Sequence, residues 1–181
     1  MLSLRRPSPE SRRRCLDEAR VELGLGEEDL LSPACVAYAL MKLRVQPEDV
    51  SRLLNWREFE QLAGALFRAS GYEVRGNVYL KKPRAQIDVV AYGPSLTLCV
   101  DCKHYARGQG PSSLAKFAKA QLARASLLRR KSGDLRPIAS VVLSVSEPEG
   151  TFVDGVAVVP VRTLRSFLTN VDSYIEYLAL R

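Results

Sequence analysis

Two carboxylates and a lysine lie in the middle of this chain, within runs that otherwise have the composition of buried strands. Asp88 falls in the run 86–92, and Asp101 and Lys103 fall in the run 96–103. Charged side chains inside a sheet are costly unless they are paired, hydrogen-bonded or bound to a metal ion. An Asp on one strand and Asp-x-Lys on the next indicate a divalent-metal site that could cut a phosphodiester. The plainer alternative is an Asp–Lys ion pair at a strand end.

The expected strand register decides whether these carboxylates can meet. We predict a tight turn centred on residues 93–94, which places Asp88 opposite Cys99. Because strand side chains alternate between faces, Asp101 and Lys103 share one face. Asp88 would lie on that face as a diagonal neighbour of Asp101, about 7–8 Å away between Cα atoms. A slip of one residue would separate the two acids.

A third acid lies upstream on a predicted helix. Residues 55–71 combine a helical apolar stripe with Asn55 as the N-cap, Glu58 three residues later and Gly71 as the stop. On this helix Glu58 faces solvent, whereas Glu60 lies at the edge of the apolar stripe and points toward the sheet. The alternative for Glu60 is a boundary residue paired with an arginine.

The order of these pieces resembles the PD-(D/E)xK nuclease superfamily. Within it, the chain looks most like the Mrr-type restriction endonucleases and, more distantly, the archaeal Holliday-junction resolvases. The proline that names the superfamily is replaced by Ile87. The ordered set that carries the resemblance consists of Phe59-Glu60, Gly71-Tyr72, Ile87-Asp88 and Val100-Asp101-Cys102-Lys103-His104-Tyr105.

The resemblance implies an α/β fold with a restriction-endonuclease-like core of helix, three-stranded meander, helix and strand. It also implies that this chain is an Mg²⁺- or Mn²⁺-dependent deoxyribonuclease. Its catalytic positions map onto Glu60, Asp88, Asp101 and Lys103. A hard cation prefers oxygen ligands, so we expect Asp88 and Asp101 to hold it, with the Cys102 backbone carbonyl and Glu60 as further ligands. Lys103 would offset negative charge in the transition state.

Several other residues are candidates for contact with DNA or for support of the site. A long helix is predicted up to residue 131, with Ser112 or Ser113 as its cap. In the family, a glutamine on this helix accompanies the site, so Gln121 is a candidate accessory residue; the alternative is a boundary residue bonded to backbone. The candidate DNA-binding residues are Lys81, Lys82, Arg84, Tyr105, Arg107, Lys116 and Lys119.

Composition favours a polyanionic partner. The chain has 181 residues, a net charge of +7 and an isoelectric point of about 9.4. Cys99 and Cys102 would lie on opposite faces of one strand and could not share a metal ion. Four cysteines without a signal peptide or a membrane span predict a cytoplasmic protein. There is no Gly-rich phosphate loop, so we expect no nucleotide cofactor.

The chain divides into two predicted regions. Residues 1–53 read as a small helical extension that could bind DNA or mediate dimerisation, and residues 54–181 read as the nuclease domain. Cutting both strands would need two sites, so we expect a homodimer. The alternatives to a restriction, repair or recombination endonuclease are a junction resolvase, a non-cleaving nucleic-acid-binding subunit with this fold, and a structural protein whose acids pair with arginines.

Overall fold

The computed structural model describes residues 54–105, 109–145 and 150–181. The predicted helical region 1–53 and the predicted DNA contact Arg107 lie outside these ranges. Within them, no helix is both long and apolar enough to cross a membrane.

The order of elements confirms the predicted core. One helix precedes a three-stranded meander, and a second helix and a strand follow it; two further strands and short helices complete the chain. The helices are α1 (Trp56–Ala69), α2 (Pro111–Lys131) and α3 (Leu164–Thr169), with 3-10 helices at Val161–Thr163 and Val171–Tyr177. The strands are β1 (Glu73–Leu80), β2 (Ala85–Tyr92), β3 (Thr97–Lys103), β4 (Ile138–Ser144), β5 (Thr151–Val153) and β6 (Val156–Pro160).

The six strands form one mixed sheet in the order β1-β2-β3-β4-β6-β5. The meander β1–β2–β3 is antiparallel, as is the β5–β6 pair, whereas β4 runs parallel to both β3 and β6. The connection from β3 to β4 contains α2, as a parallel pair requires.

The helices cover the two faces of this sheet. On one face, Val89 and Val100 belong to the same buried cluster as Phe59 of α1 and the C-terminal helices. On the other face, Val90 and Cys99 are buried with α2. Because both faces of the central strands are covered, β3 and β4 are apolar along most of their length.

The start of each long helix follows from its capping residues. The Asn55 side chain accepts hydrogen bonds from the backbone N–H groups of residues 57 and 58, and Glu58 accepts from the Asn55 N–H at 2.7 Å, which confirms the predicted capping box. The predicted serine cap of α2 is wrong. This helix begins at Pro111 after Gly110, because proline has the right φ for a first helical position and needs no N–H partner there.

The predicted β2–β3 register is also wrong, by two residues. Tyr92 pairs with Thr97 and Val90 pairs with Cys99. The connecting loop is longer than the predicted turn, and its Gly93 N–H donates to the Leu96 carbonyl at 3.0 Å. A shift of two residues preserves the parity of the pairing. The alternation of side chains nevertheless breaks at Asp88, because Val89 packs in the cluster on the α1 face and Ile87 in the cluster on the α2 face.

Candidate active site

Asp88 lies where strands β2 and β3 separate. The last pair of the ladder is Val89 with Val100, so Asp88 is the first residue of β2 beyond it. Its Oδ2 accepts a hydrogen bond from the backbone N–H of Cys102 at 2.8 Å. Asp88 therefore links the diverging strands through Cys102, the residue that follows Asp101 in β3.

Asp101 is held between two cations. The residue is only 4% exposed, and its Oδ1 accepts a hydrogen bond from Arg124 Nη1 at 3.0 Å. Its Oδ2 accepts no hydrogen bond within the described ranges, but it forms an ion pair with Lys103 Nζ at 2.6 Å. A buried carboxylate is tolerated in a sheet when it is paired in this way.

Gln121 fixes the arginine of this network. Its side chain is fully buried, and its Nε2 donates to the Cys99 carbonyl at 2.7 Å. Its Oε1 accepts from Arg124 Nη1 at 3.1 Å. Gln121 thus does bond to backbone, as the plainer alternative expected. It also orients the arginine that reaches Asp101, which sequence reasoning missed because Arg124 resembled the other cations on the solvated side of α2.

Glu60 projects from α1 into a cleft beside β1 and β2. The cleft has a volume of about 310 Å³, and Asp88 and Asn77 line it as well. The Oε2 atom of Glu60 is buried and, in the described part of the chain, has no hydrogen-bond partner. Burial and the nearby Asp88 raise the pKa of Glu60 to about 7, although the Asn77 side chain and Arg57 act in the opposite direction.

Asn77 is a second residue that sequence reasoning missed. Its φ of +52° is a left-handed conformation that asparagine tolerates better than most residues. It lies between the ladder pairs Gly76–Val89 and Val78–Ile87, level with Asp88. The sequence around Asn77 gives no sign of a role in the site, because that role depends on Glu60, which comes from the neighbouring helix α1.

The acids form one electrostatic group. Burial raises the pKa of Asp88, and the charge of Asp101 raises it further, while the Cys102 N–H and Lys103 lower it. Asp101 also contributes to the raised pKa of Glu60. The helix α1 and the strands β2 and β3 therefore bring together Glu60, Asp88, Asp101 and Lys103, with negative charge in excess around the first two acids.

The predicted DNA contacts lie on three exposed parts of the surface. Lys81, Lys82 and Arg84 occupy the turn between β1 and β2, and Lys116 and Lys119 lie on the first half of α2. Tyr105 is exposed and stacks on Phe117 of α2 with ring centroids 6.0 Å apart.

The two described cysteines are not ligands of one metal ion. Cys99 is buried in the cluster on the α2 face, whereas Cys102 packs against the cluster on the α1 face. Burial raises the pKa of the Cys99 thiol to about 12, and that of Cys102 is raised as well. Both thiols therefore remain protonated at neutral pH, as expected for structural cysteines.

The carboxylates have the right chemistry for a hard divalent cation. Their oxygen atoms are the ligands that Mg²⁺ prefers, and burial, together with repulsion between the acids, raises the pKa values of Glu60 and Asp88. In the residues that the structure describes, however, no three acidic, histidine or cysteine side chains have the arrangement of a metal site. Both oxygens of Asp101 already contact cations, and each keeps a second lone pair for a metal.

The sheet order and the acid group define a nuclease-like α/β domain, and a comparison with protein families agrees. A family model described as restriction endonuclease, Mrr_cat, matches residues 51–127. This match confirms the resemblance for that part of the chain and is consistent with a nuclease-like family of the Mrr type in the PD-(D/E)xK superfamily.

Comparisons with other proteins add one relative. An uncharacterized protein of Archaeoglobus fulgidus is 29% identical over 125 residues, which cover 67% of this chain and 95% of that protein. No solved structure has a significant match.

The raised pKa of Glu60 predicts how stability depends on pH in the metal-free protein. A carboxyl group with a higher pKa in the folded state holds its proton better when folded, so stability falls as pH rises from about 4.5 through 7. After allowance for solvent screening we expect a loss of about 1 kcal/mol, or ~2–4 °C in Tm. Thermal melts in EDTA would measure it. Glu60→Gln should flatten this slope, and an unchanged slope in that variant would contradict the assignment.

Proposed function

We propose that this chain is a metal-dependent endonuclease that hydrolyses phosphodiester bonds of DNA. The observation that carries the proposal is the meeting of Glu60, Asp88, Asp101 and Lys103, from a helix and two adjacent strands, in one charge-coupled group. The match of this region to a restriction-endonuclease family supports the same chemistry.

The proposed roles follow from where each side chain lies. Asp88 and Asp101 would hold the cation, with Glu60 and the Cys102 carbonyl as further ligands. A bound Mg²⁺ or Mn²⁺ would acidify the attacking water and stabilise the leaving oxygen. Lys103 would place its ammonium group beside the scissile phosphate, since its Nζ already lies next to Asp101. Gln121 would act through Arg124 as a positioning residue.

One observation favours a second candidate, a subunit that binds nucleic acid without cutting it. Both oxygens of Asp101 are engaged by Lys103 and Arg124, and a closed network of this kind can be purely structural. In that case the protein would bind no divalent cation. The raised pKa of Glu60 argues for the enzyme, because a binding subunit gains nothing from an unsatisfied buried acid beside phosphate.

The setting of the enzyme is part of the same proposal. We expect a cytoplasmic homodimer that presents two sites to one DNA molecule. Restriction, repair and recombination would each be compatible with it, and a four-way junction would be the substrate if the chain is a resolvase.

A cleavage panel tests the proposal. The full chain would be incubated with supercoiled plasmid, linear duplex, four-way junction and single strand, each with Mg²⁺, Mn²⁺ or EDTA. Metal-dependent cutting that is lost in Asp101→Ala would support the nuclease and reveal its substrate. Salt-sensitive binding by both proteins without any cutting would favour the non-cleaving subunit.

A further inference from the structure

Two large aromatic side chains are exposed on the helix and the strand that border the cleft containing Glu60. Trp56 is 53% exposed and Tyr79 is 70% exposed. Single exposed aromatic residues are common on protein surfaces. These two differ because each lies on an element that lines this cleft, Trp56 on α1 and Tyr79 on β1.

Trp56 begins α1, the helix from which Glu60 projects into the cleft. It lies four residues before Glu60 in α1, so the two residues are on the same side of the helix. The guanidinium group of Arg57 lies over the Trp56 ring, 4.9 Å from its centroid. The same arginine lowers the pKa of Glu60, which shows that its charge reaches the acid.

Tyr79 lies in β1, two residues after Asn77, which lines the cleft. Its neighbours Val78 and Leu80 pack against the cluster on the α2 face, so the Tyr79 side chain projects from the opposite face of the strand, the face that α1 covers. Its partner across the ladder is Gln86, whose Nε2 donates to Asn77 Oδ1 at 3.0 Å. This hydrogen bond links the positions of Tyr79 and the cleft wall.

Exposed cations lie in the turn that follows Tyr79. The turn that follows β1 has the sequence Lys81-Lys82-Pro83-Arg84, and all four residues are exposed. A charged track for phosphates beside exposed rings is the combination that binds single-stranded nucleic acid. A duplex fits it poorly, because its bases are stacked on one another and expose only their edges in the grooves.

We propose that Trp56 and Tyr79 are stacking platforms for unpaired bases, so that the substrate is a nucleic acid with a single-stranded segment at the site. The arrangement would put unstacked nucleotides on either side of the phosphate that Glu60 and Asp88 face. This assignment of a substrate class rests on the proposed nuclease function for the position of that phosphate. The stacking itself needs neither metal nor cleavage.

The chain carries its own probe for this contact, since Trp56 is its sole tryptophan. In EDTA, the full chain would be titrated with a short oligothymidylate and with a hairpin duplex of the same number of nucleotides. We expect the oligothymidylate to quench Trp56 fluorescence and to bind about tenfold more tightly than the duplex. Because the assay contains no metal, it can succeed when cleavage fails, and the cleavage panel can succeed when it fails.

Variants assign the effect to the two rings. Anisotropy of a labelled oligothymidylate should show that Trp56→Leu and Tyr79→Leu each weaken binding by about 5- to 150-fold. Trp56→Phe and Tyr79→Phe, which keep an aromatic ring, should retain most of the wild-type affinity. Tyr177→Leu is the matched control, because Tyr177 is 55% exposed but lies in the C-terminal 3-10 helix.

Three results would overturn the proposal. They are binding of the duplex as tightly as the single strand, no binding of the single strand by the wild-type chain, and unchanged affinity in both leucine variants. Thermal melts of each variant would show that it is folded.

Discussion

Asp88→Asn is expected to reduce cleavage by about 10³-fold or more and, in the same protein, to raise Tm. The loss follows because a ligand that holds the catalytic cation supplies several kcal/mol of transition-state stabilisation. The gain in stability follows because burial and the charge of Asp101 raise the pKa of Asp88, so its ionised form is unfavourable in the metal-free fold. Asparagine removes that charge and can still accept the Cys102 N–H bond.

Asp134 provides a matched control, because its surroundings lower the pKa of its carboxyl group whereas those of Asp88 raise it. Hydrogen bonds from Arg136 and Thr97 lower the pKa of Asp134, so its ionised form stabilises the fold. Asp134→Asn should therefore lower Tm and leave cleavage unchanged. The melts would be run in EDTA at pH 7, and the cleavage assays with Mg²⁺ or Mn²⁺. A fully active Asp88→Asn protein, or one with a lower Tm, would contradict the role assigned to Asp88.

Metal binding gives a readout that does not depend on turnover. A ligand that binds only the folded protein raises Tm in proportion to the logarithm of its concentration. We therefore expect Mg²⁺ or Mn²⁺ to raise Tm in the wild-type and Asp134→Asn proteins but not in Asp88→Asn. This comparison separates a missing metal ligand from a damaged fold.

The elements that carry the acids could be predicted because local patterns specify them. Asn55, Glu58 and Gly71 mark the ends of α1, and its apolar stripe orients Glu60 toward the sheet. The alternation of side chains in β2 could not be predicted through Asp88, because Val89 packs in the cluster on the α1 face whereas Ile87 packs in the cluster on the α2 face. Asp88 therefore lines the cleft with Glu60, while Asp101 contacts Arg124 of α2.

The register itself could not be predicted, because it depends on loop closure. A Gly-Pro pair is compatible with either a two-residue turn or a longer loop. The observed loop is closed by the bond from the Gly93 N–H to the Leu96 carbonyl and held by Arg136, which donates to the Gly93 carbonyl at 2.6 Å. Arg136 is more than forty residues away in the chain, and nothing local to the turn reveals it.

The residues that support the site were missed for a similar reason. In the sequence, Arg124 resembles the other cations on the solvated side of α2. Only the packing of α2 against β3 brings it to Asp101. Asn77 likewise gains its position from the approach of α1 to β1. The strand acids could be identified because a charged residue is unexpected in an apolar strand. Arg124 could not, because a cation on the solvated side of a helix is ordinary and its contact with Asp101 depends on tertiary packing.

Lys103→Met is expected to lower the cleavage rate by about 10²- to 10³-fold while divalent-cation affinity stays equal or increases. The opposite effects on cleavage rate and on cation affinity follow from the position of the ammonium group. It contacts Asp101 Oδ2 at 2.6 Å and lies 5.0 Å from the Phe117 ring centroid. Removing this cation removes a competitor for the carboxylate, so the metal should bind at least as well. The developing charge on the phosphate would lose its partner.

Because Asp101 keeps Arg124 as a partner at 3.0 Å, the Lys103 variant does not leave a buried carboxylate unpaired and should fold. Lys103→Arg should retain part of the rate, since it keeps the charge but not the geometry. Lys131→Met is the control, because Lys131 is exposed at the far end of α2. Calorimetric titration with Mn²⁺ would measure affinity, and single-turnover cleavage would measure rate. A Lys103→Met protein that loses both in parallel would show that Lys103 maintains the metal site and does not act on the phosphate.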